Sequence, residues 1–172
     1  MASFFLIRHA KPSIAGVMLG QSDPPLSPAG KAQAAEALAK LRVEIVWASP
    51  LRRARETADL IPGAPVQELS QLREIDQGEW TGRTWTEIEA NWPDLAAQKQ
   101  SDWFSLPAPG GETWIDFLAR IQTAWTIIRQ GPLPAAIVAH HGVNAALMHL
   151  IAGKDPLEFN QQYSEVIELD YD

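Results

Sequence analysis

The 172-residue chain contains no cysteine. That absence removes disulfide bridges, thiolate metal sites and every mechanism with a thiol nucleophile. It suits a reducing compartment, and a cytoplasmic location is expected. Positive charge is also scarce, with 14 Lys and Arg against 21 Asp and Glu and a net charge of −7. A nucleic-acid surface needs a basic face, so no nucleic-acid partner is expected. Long apolar runs are lacking too. The N-terminal "FFLI" is broken at once by an arginine and is too short for a signal-peptide core. Nothing approaches the roughly 20 apolar residues that span a bilayer, so no membrane partner is expected. There is no internal repeat and no low-complexity stretch, and a chain of this length fits one domain over residues 1–172.

What the sequence does contain is an alternation of short β-rich runs with longer helical patterns. The runs fall at Phe4–Ile7, Val43–Trp47 and Ala136–Ala139, with a weaker alternating one at Val166–Asp170. In "LSPAGKAQAAEALAKL", Ser27 is the expected N-cap and Pro28 the first helical residue, with Ala32, Ala35, Leu38 and Ala39 on one face. "SPLRRARETADLI" repeats the device with Ser49 and Pro50, and Leu51, Ala54, Ala58 and Ile61 form its inward stripe. Thr84 and Glu87 have capping-box spacing, which predicts a helix running to Trp92. Two more helices are predicted after Thr113 and from Gly142. Strands alternating with helices predict an α/β fold with a sheet that is at least partly parallel. The segment 93–112 holds three prolines, a glycine pair, Trp103 and Phe104. It reads as a long loop, either a lid over a site or a surface excursion.

Three of the β-runs end in polar residues of one character. The first ends in Arg8-His9, and the second runs into Ser49-Pro50 with Arg52 and Arg53 behind. The third ends in His140-His141, ahead of a helix start at Gly142. Ligands of open α/β sheets bind beyond the carboxyl ends of the strands. Helix N-termini there add N–H donors and partial positive charge. Arginines, histidines and helix starts converging on one point make an anion pocket, and guanidinium forks match phosphoryl oxygens best. Each piece also has a plain reading, a histidine filling a structural role or "RRAR" as a solvated helix face. A metal site is not expected. The tandem histidines point to opposite faces, and His149 lies roughly 12 Å along the helix from His141. There is no P-loop, no dinucleotide-binding glycine fingerprint and no G-x-S-x-G elbow.

In order, "LIRHAKP", "DPPLSPAGKAQA", "ASPLRRARETA", "LREIDQGEWTG", "PGGETWIDFLARI" and "IVAHHGV" resemble the histidine phosphatase superfamily, whose fold is called phosphoglycerate mutase-like. The resemblance covers nearly the whole chain. It implies a three-layer α/β/α sandwich with a mostly parallel central sheet. It also implies a phosphatase that uses a histidine nucleophile and needs no metal or other cofactor. On this sequence it makes His9 the residue that becomes phosphohistidine. Arg8, Arg53 and His140 would cradle the phosphoryl oxygens, and Glu74 would be the proton donor, with Glu79 as its rival and Asp76 a weaker one. Arginine charge beside His9 would keep its imidazole neutral and nucleophilic.

The chain departs from the family pattern at three places. Ala10 follows the nucleophile where glycine is common. His141 follows the second histidine, also in place of glycine, and either adds a donor to the phosphate or turns into the helix layer. The stretch Lys11–Gln21 is short and lacks a Trp-Asn pair, which leaves Ser13 and Gln21 as polar candidates for the substrate pocket, Gln21 foremost. Asp23 is expected to cap the turn that follows it. The partner implied is a small phosphomonoester. From Thr84 to Glu112 the chain offers Lys99 as the cation for a substrate carboxylate, against several aromatics. Hydrolysis therefore fits better than phosphoglycerate mutase chemistry, and the pattern resembles the α-ribazole-5′-phosphate phosphatase branch. A phosphohistidine protein phosphatase and a silent phosphate-binding module stand as alternatives. Trp47 and Trp125 are expected in the core.

Overall fold

The chain is described by a computed structural model over residues 2–171. β1 (Ala2–Arg8), β2 (Ile45–Ala48), β3 (Val66–Glu68), β4 (Ala135–Ala139) and β5 (Val166–Tyr171) form one sheet in the order β3-β2-β4-β1-β5. Every pairing is parallel except that of β5 with β1, which is antiparallel. β3 was not legible in the sequence: it is three residues long, edge-placed and two-thirds exposed, so it carries no apolar run.

Side chains of a strand alternate between faces, and two cores follow from that alternation. Phe4, Leu6, Ile45, Trp47, Ile137 and Ala139 face one side, and Ile7, Val46, Ala48, Ala136 and Val138 face the other. The first face is covered by α5 (Trp114–Ile128) and α6 (His141–Ala152), through Phe117, Ile121, Trp125, Val143 and Leu147. The second is covered by α1 (Pro28–Leu38) and α2 (Arg52–Ala58), through Ala34, Leu38, Ala54 and Ala58. Helices on both faces of a mostly parallel sheet make the three-layer α/β/α sandwich. Each fully buried large apolar side chain contributes about 1.5–3 kcal/mol, so the two-sided core holds the strand ends rigidly. Trp47 and Trp125 lie in this core, 4% exposed each.

Three expectations are corrected. On α1 the inward residues are Gly30, Ala34 and Leu38, whereas Ala32, Ala35 and Ala39 are exposed. An alanine-rich helix gives little contrast between its faces, so periodicity misassigned the stripe. α2 begins at Arg52 rather than Pro50, because Leu51 is still extended at φ −64° and ψ 134°. Ser49 does not cap it: its hydroxyl lies 2.8 Å from His140 Nε2 and accepts the N–H of Leu51, one residue short of the helix, at 3.3 Å. The carboxylate of Asp23 instead accepts the Arg52 N–H at 2.6 Å, from 29 residues upstream.

The third correction concerns 93–112, half of which is helix α4 (Pro93–Ser101). Pro93 occupies the first helical position, where a missing N–H removes no bond. With α3 (Trp85–Asn91) and the 3₁₀ turn Gly78–Trp80, α4 builds a third apolar cluster from Trp80, Ile88, Ala96 and Ala108. The Thr84–Glu87 capping box is present. The cover over the sheet's carboxyl edge is thus a small packed unit, and only 102–112 is irregular.

Candidate active site

Parallel register places the polar strand ends side by side. Arg8 is opposite Ala139 and Ala48 opposite Val138, and the ladder runs one residue further, with His9 N–H on the Ala139 carbonyl at 2.9 Å and Ser49 N–H on the Val138 carbonyl at 3.0 Å. His9, Ser49 and His140 therefore leave the sheet at one edge. The rings of His9 and His140 lie 5.2 Å apart between centroids.

His9 Nδ1 sits 2.8 Å from the Ala10 carbonyl oxygen. A carbonyl only accepts, so Nδ1 carries the hydrogen and Nε2 keeps its lone pair. The imidazole is 4% exposed, and burial lowers its pKa to about 3, opposed by the Ala10 carbonyl and reinforced by the Arg53 and Arg8 charges. His140 is fully buried and pushed down by burial first, then by His9 and Arg53. Both rings are neutral at pH 7. Ala10 is itself fully buried, its N–H given to Thr57 Oγ1 at 2.9 Å.

Two guanidiniums flank His9 and line the same cavity. Arg53, 1% exposed, donates to the carbonyls of Ser22 at 2.6 Å and Gly20 at 2.8 Å. Arg8 donates to the Gln161 carbonyl at 2.7 Å and stacks on the Tyr163 ring at 4.2 Å. The Nε atoms of both are buried without a hydrogen-bond partner among the described residues. Arg52, their neighbour in sequence, pairs with Glu56 at the surface instead.

Glu74 lines the same cavity. Its Oε2 accepts from Gly142 N–H at 3.1 Å and its Oε1 from Ile75 N–H at 2.9 Å. The approach to the start of α6 depends on glycine, because a Cβ on Gly142 would stand 2.5 Å from Glu74 Oε1. Asp76 and Glu79 do not line the cavity, and Asp76 Oδ1 is taken up by Gly78 N–H at 2.9 Å.

The structure brings Arg8, His9, Arg53, Glu74 and His141 to one cavity of about 450 Å³. His140 stands behind His9 rather than in the wall. His141 lines the cavity, its ring 5.4 Å from Phe159 and its pKa lowered by burial and by Arg8. Gln21 is not among the lining residues: its amide donates to the Glu74 carbonyl at 3.1 Å. Lys99 is 5% exposed and donates to the Leu106 carbonyl, so it holds the cover together and faces no substrate.

The outer wall is aromatic and apolar, formed by Trp103, Phe104, Trp114, Leu157 and Phe159. The rings of Phe104 and Trp114 pack 4.1 Å apart, tilted by 38°. Sequence reasoning missed Tyr163 and the 156–159 segment, which follow no strand or helix motif and reach the site only through the chain's path back to β5. Among the described residues, no group of three or more His, Cys, Asp or Glu is placed to hold a metal ion, and no helix is long and apolar enough to cross a membrane.

A glucosyl-3-phosphoglycerate phosphatase of Mycobacterium tuberculosis is 33% identical over 163 residues, covering 83% of this chain and 71% of that protein. The native structure of a mycobacterial glucosyl-3-phosphoglycerate phosphatase superposes with a TM-score of 0.85 at 26% identity, over 97% of this chain and 89% of that one. The α-ribazole phosphatase of Shigella flexneri shares the fold at a TM-score of 0.87 and 24% identity, over 99% and 91% of the two chains. Residues 4–172, which carry every strand end and helix start described above, match the histidine phosphatase superfamily (branch 1). The chain belongs to that superfamily and is a phosphatase.

Proposed function

We propose that this phosphatase hydrolyses small ring-bearing phosphomonoesters through a phosphohistidine on His9, without a metal. The observation that carries the reading is the His9 Nδ1–Ala10 bond, which leaves Nε2 unprotonated in a buried ring between two arginines. Nε2 attacks phosphorus as the ester P–O bond breaks, and protonated Glu74 gives its proton to the departing alkoxide. Glu74, now a carboxylate, then takes a proton from water as the water oxygen attacks phosphorus and the P–N bond breaks. Arg8 and Arg53 hold the phosphoryl oxygens and supply the positive charge the transfer requires, while the neutral His140 backs the His9 ring.

The walls favour a substrate with a planar or apolar ring, α-ribazole 5′-phosphate being the specific candidate. A phosphoglycerate, glucosylated or not, carries a carboxylate that needs its own cation. The arginines lining the cavity are Arg8 and Arg53, both at the phosphate end, and Lys99 is turned away.

The test is hydrolysis of 4-nitrophenyl phosphate in EDTA by the wild type and by His9→Ala, with acid- and base-quench trapping of labelled phosphate. Turnover in EDTA, lost in the variant, with an acid-labile and base-stable label on the wild type, is expected. Activity retained by His9→Ala refutes the mechanism. α-Ribazole 5′-phosphate should exceed 3-phosphoglycerate in kcat/KM by about tenfold or more, the equivalent of one or two aromatic contacts.

A further inference from the structure

Arg120 belongs to none of the strand ends that form the site. It sits on α5, half-buried, and all of its N–H donors are used. Nε donates to Glu112 Oε1 at 2.6 Å and one terminal nitrogen to Glu112 Oε2 at 2.8 Å, a two-pronged ion pair. The other terminal nitrogen donates to the carbonyls of Gln71 at 2.6 Å and Arg73 at 2.7 Å. The fifth bond runs to the carbonyl of Glu74 at 3.0 Å. Glu112 completes the arrangement, its Oε2 accepting the Asp76 N–H at 3.2 Å while its own N–H goes to the Asp76 carbonyl at 3.0 Å.

Apolar packing fixes the upstream half of the segment so gathered, with Leu69 and Leu72 buried in the core and the Leu69 N–H on the Ala48 carbonyl of β2 at 2.9 Å. Past the 3₁₀ turn Ser70–Leu72, the carbonyls of Arg73, Glu74 and Asp76 are held by Arg120, by Gln21 and by the Glu112 N–H rather than by a strand. The Glu74 carbonyl is gripped from two sides, by Arg120 and by the amide of Gln21. The same Arg120–Glu112 pair joins this segment to the residues that close the aromatic cover, where Gly78 meets the backbone at Pro109 and Gly111.

We propose that Arg120 is a positioning residue for proton transfer: it sets the Glu74 backbone so that the carboxyl points at the leaving oxygen, and with Glu112 it ties that carboxyl to the aromatic wall. The proposal rests on the reading of Glu74 as the proton donor. A general acid must stand within hydrogen-bond reach of the atom it protonates, and a displacement of about 1 Å can cost about 10²-fold in rate. Lysine cannot replace the fork, because one ammonium cannot meet both Glu112 oxygens and three carbonyls at once.

The experiment separates positioning of an acid from general support of the fold by varying the leaving group. kcat/KM reports the step in which the alcohol departs, and 4-nitrophenolate leaves without a proton while an alkyl alkoxide does not. In Arg120→Gln and Arg120→Lys, kcat/KM for an alkyl phosphate should fall about 10²-fold and for 4-nitrophenyl phosphate less than about fivefold. Adding Arg120→Gln to Glu74→Gln should produce no further loss on the alkyl ester, since both remove one function. Equal losses on both esters, or losses that multiply in the double variant, overturn the proposal. Should the glutamine variant fail to fold, the lysine variant and Glu112→Gln carry the same comparison. Quench trapping on the wild type judges the His9 step separately, so a missing phosphohistidine would refute the nucleophile while the leaving-group ratio still decides Arg120.

Discussion

The neutral, buried His9 makes a prediction about stability that is independent of any substrate. The perturbation is His9→Asn, whose side-chain N–H is placed to replace Nδ1–H as donor to the Ala10 carbonyl. In the folded chain His9 has a pKa of about 3, and in the unfolded chain it returns to roughly 6.5. Below about pH 6.5 the unfolded state takes up a proton that the folded state refuses until about pH 3. Stability contributed by the wild-type site is therefore complete above that upper value and is lost as pH falls through the window, at about 1.4 kcal/mol per pH unit.

Between about pH 7.5 and pH 5 the wild type should lose about 2 kcal/mol that His9→Asn does not lose. His140 is pushed in the same direction chiefly by its burial, which both proteins share, so its protonation largely cancels in the difference. Urea denaturation of the two proteins at the two pH values measures the quantity directly. A wild-type-minus-variant difference that is constant with pH would show that His9 titrates normally, and the account of its nucleophilicity would fall with it.

Two further outcomes follow from the geometry. Gly142→Ala should push the Glu74 carboxyl aside, because the added carbon would stand 2.5 Å from Oε1. With the carboxyl displaced by that contact, kcat/KM on alkyl phosphates should drop by about tenfold to 10²-fold. Urea stability should change by less than about 1 kcal/mol, since alanine favours the helix; wild-type rates in this variant would refute the role assigned to that approach. Phe104→Ala removes a ring packed against Trp114. It should raise KM for ring-bearing substrates about five- to tenfold at nearly constant kcat, and an equal rise for a small alkyl phosphate would show that the wall does not select rings.

The parts of the site that sequence made legible are those in which local chemistry and chain order coincide. Arg8-His9, Ser49 and His140 each follow an apolar β-run, and parallel strands must end on the same edge, so their convergence could be read before any coordinates. Caps carried by adjacent residues were equally legible, as at Ser27 and at Thr84–Glu87. Where contrast was low the reading failed. The alanine-rich α1 gave no way to rank its faces, and a proline at the start of α4 passed for a loop breaker.

The sequence by itself determined the fold class, the strand-end constellation and the family, because apolar periodicity and residue type act locally. Tertiary structure alone decided what each polar group was left to do. Gln21 and Lys99 looked free to meet a substrate, but long-range carbonyls, at Glu74 and Leu106, claim their donors first. Asp23 caps a helix 29 residues away. Tyr163 reaches Arg8, and Arg120 reaches Glu74, across separations of 155 and 46 residues. A hydrogen-bond donor is committed by whichever acceptor the folded backbone brings within about 3 Å, and that is a property of the packed chain rather than of any stretch of it.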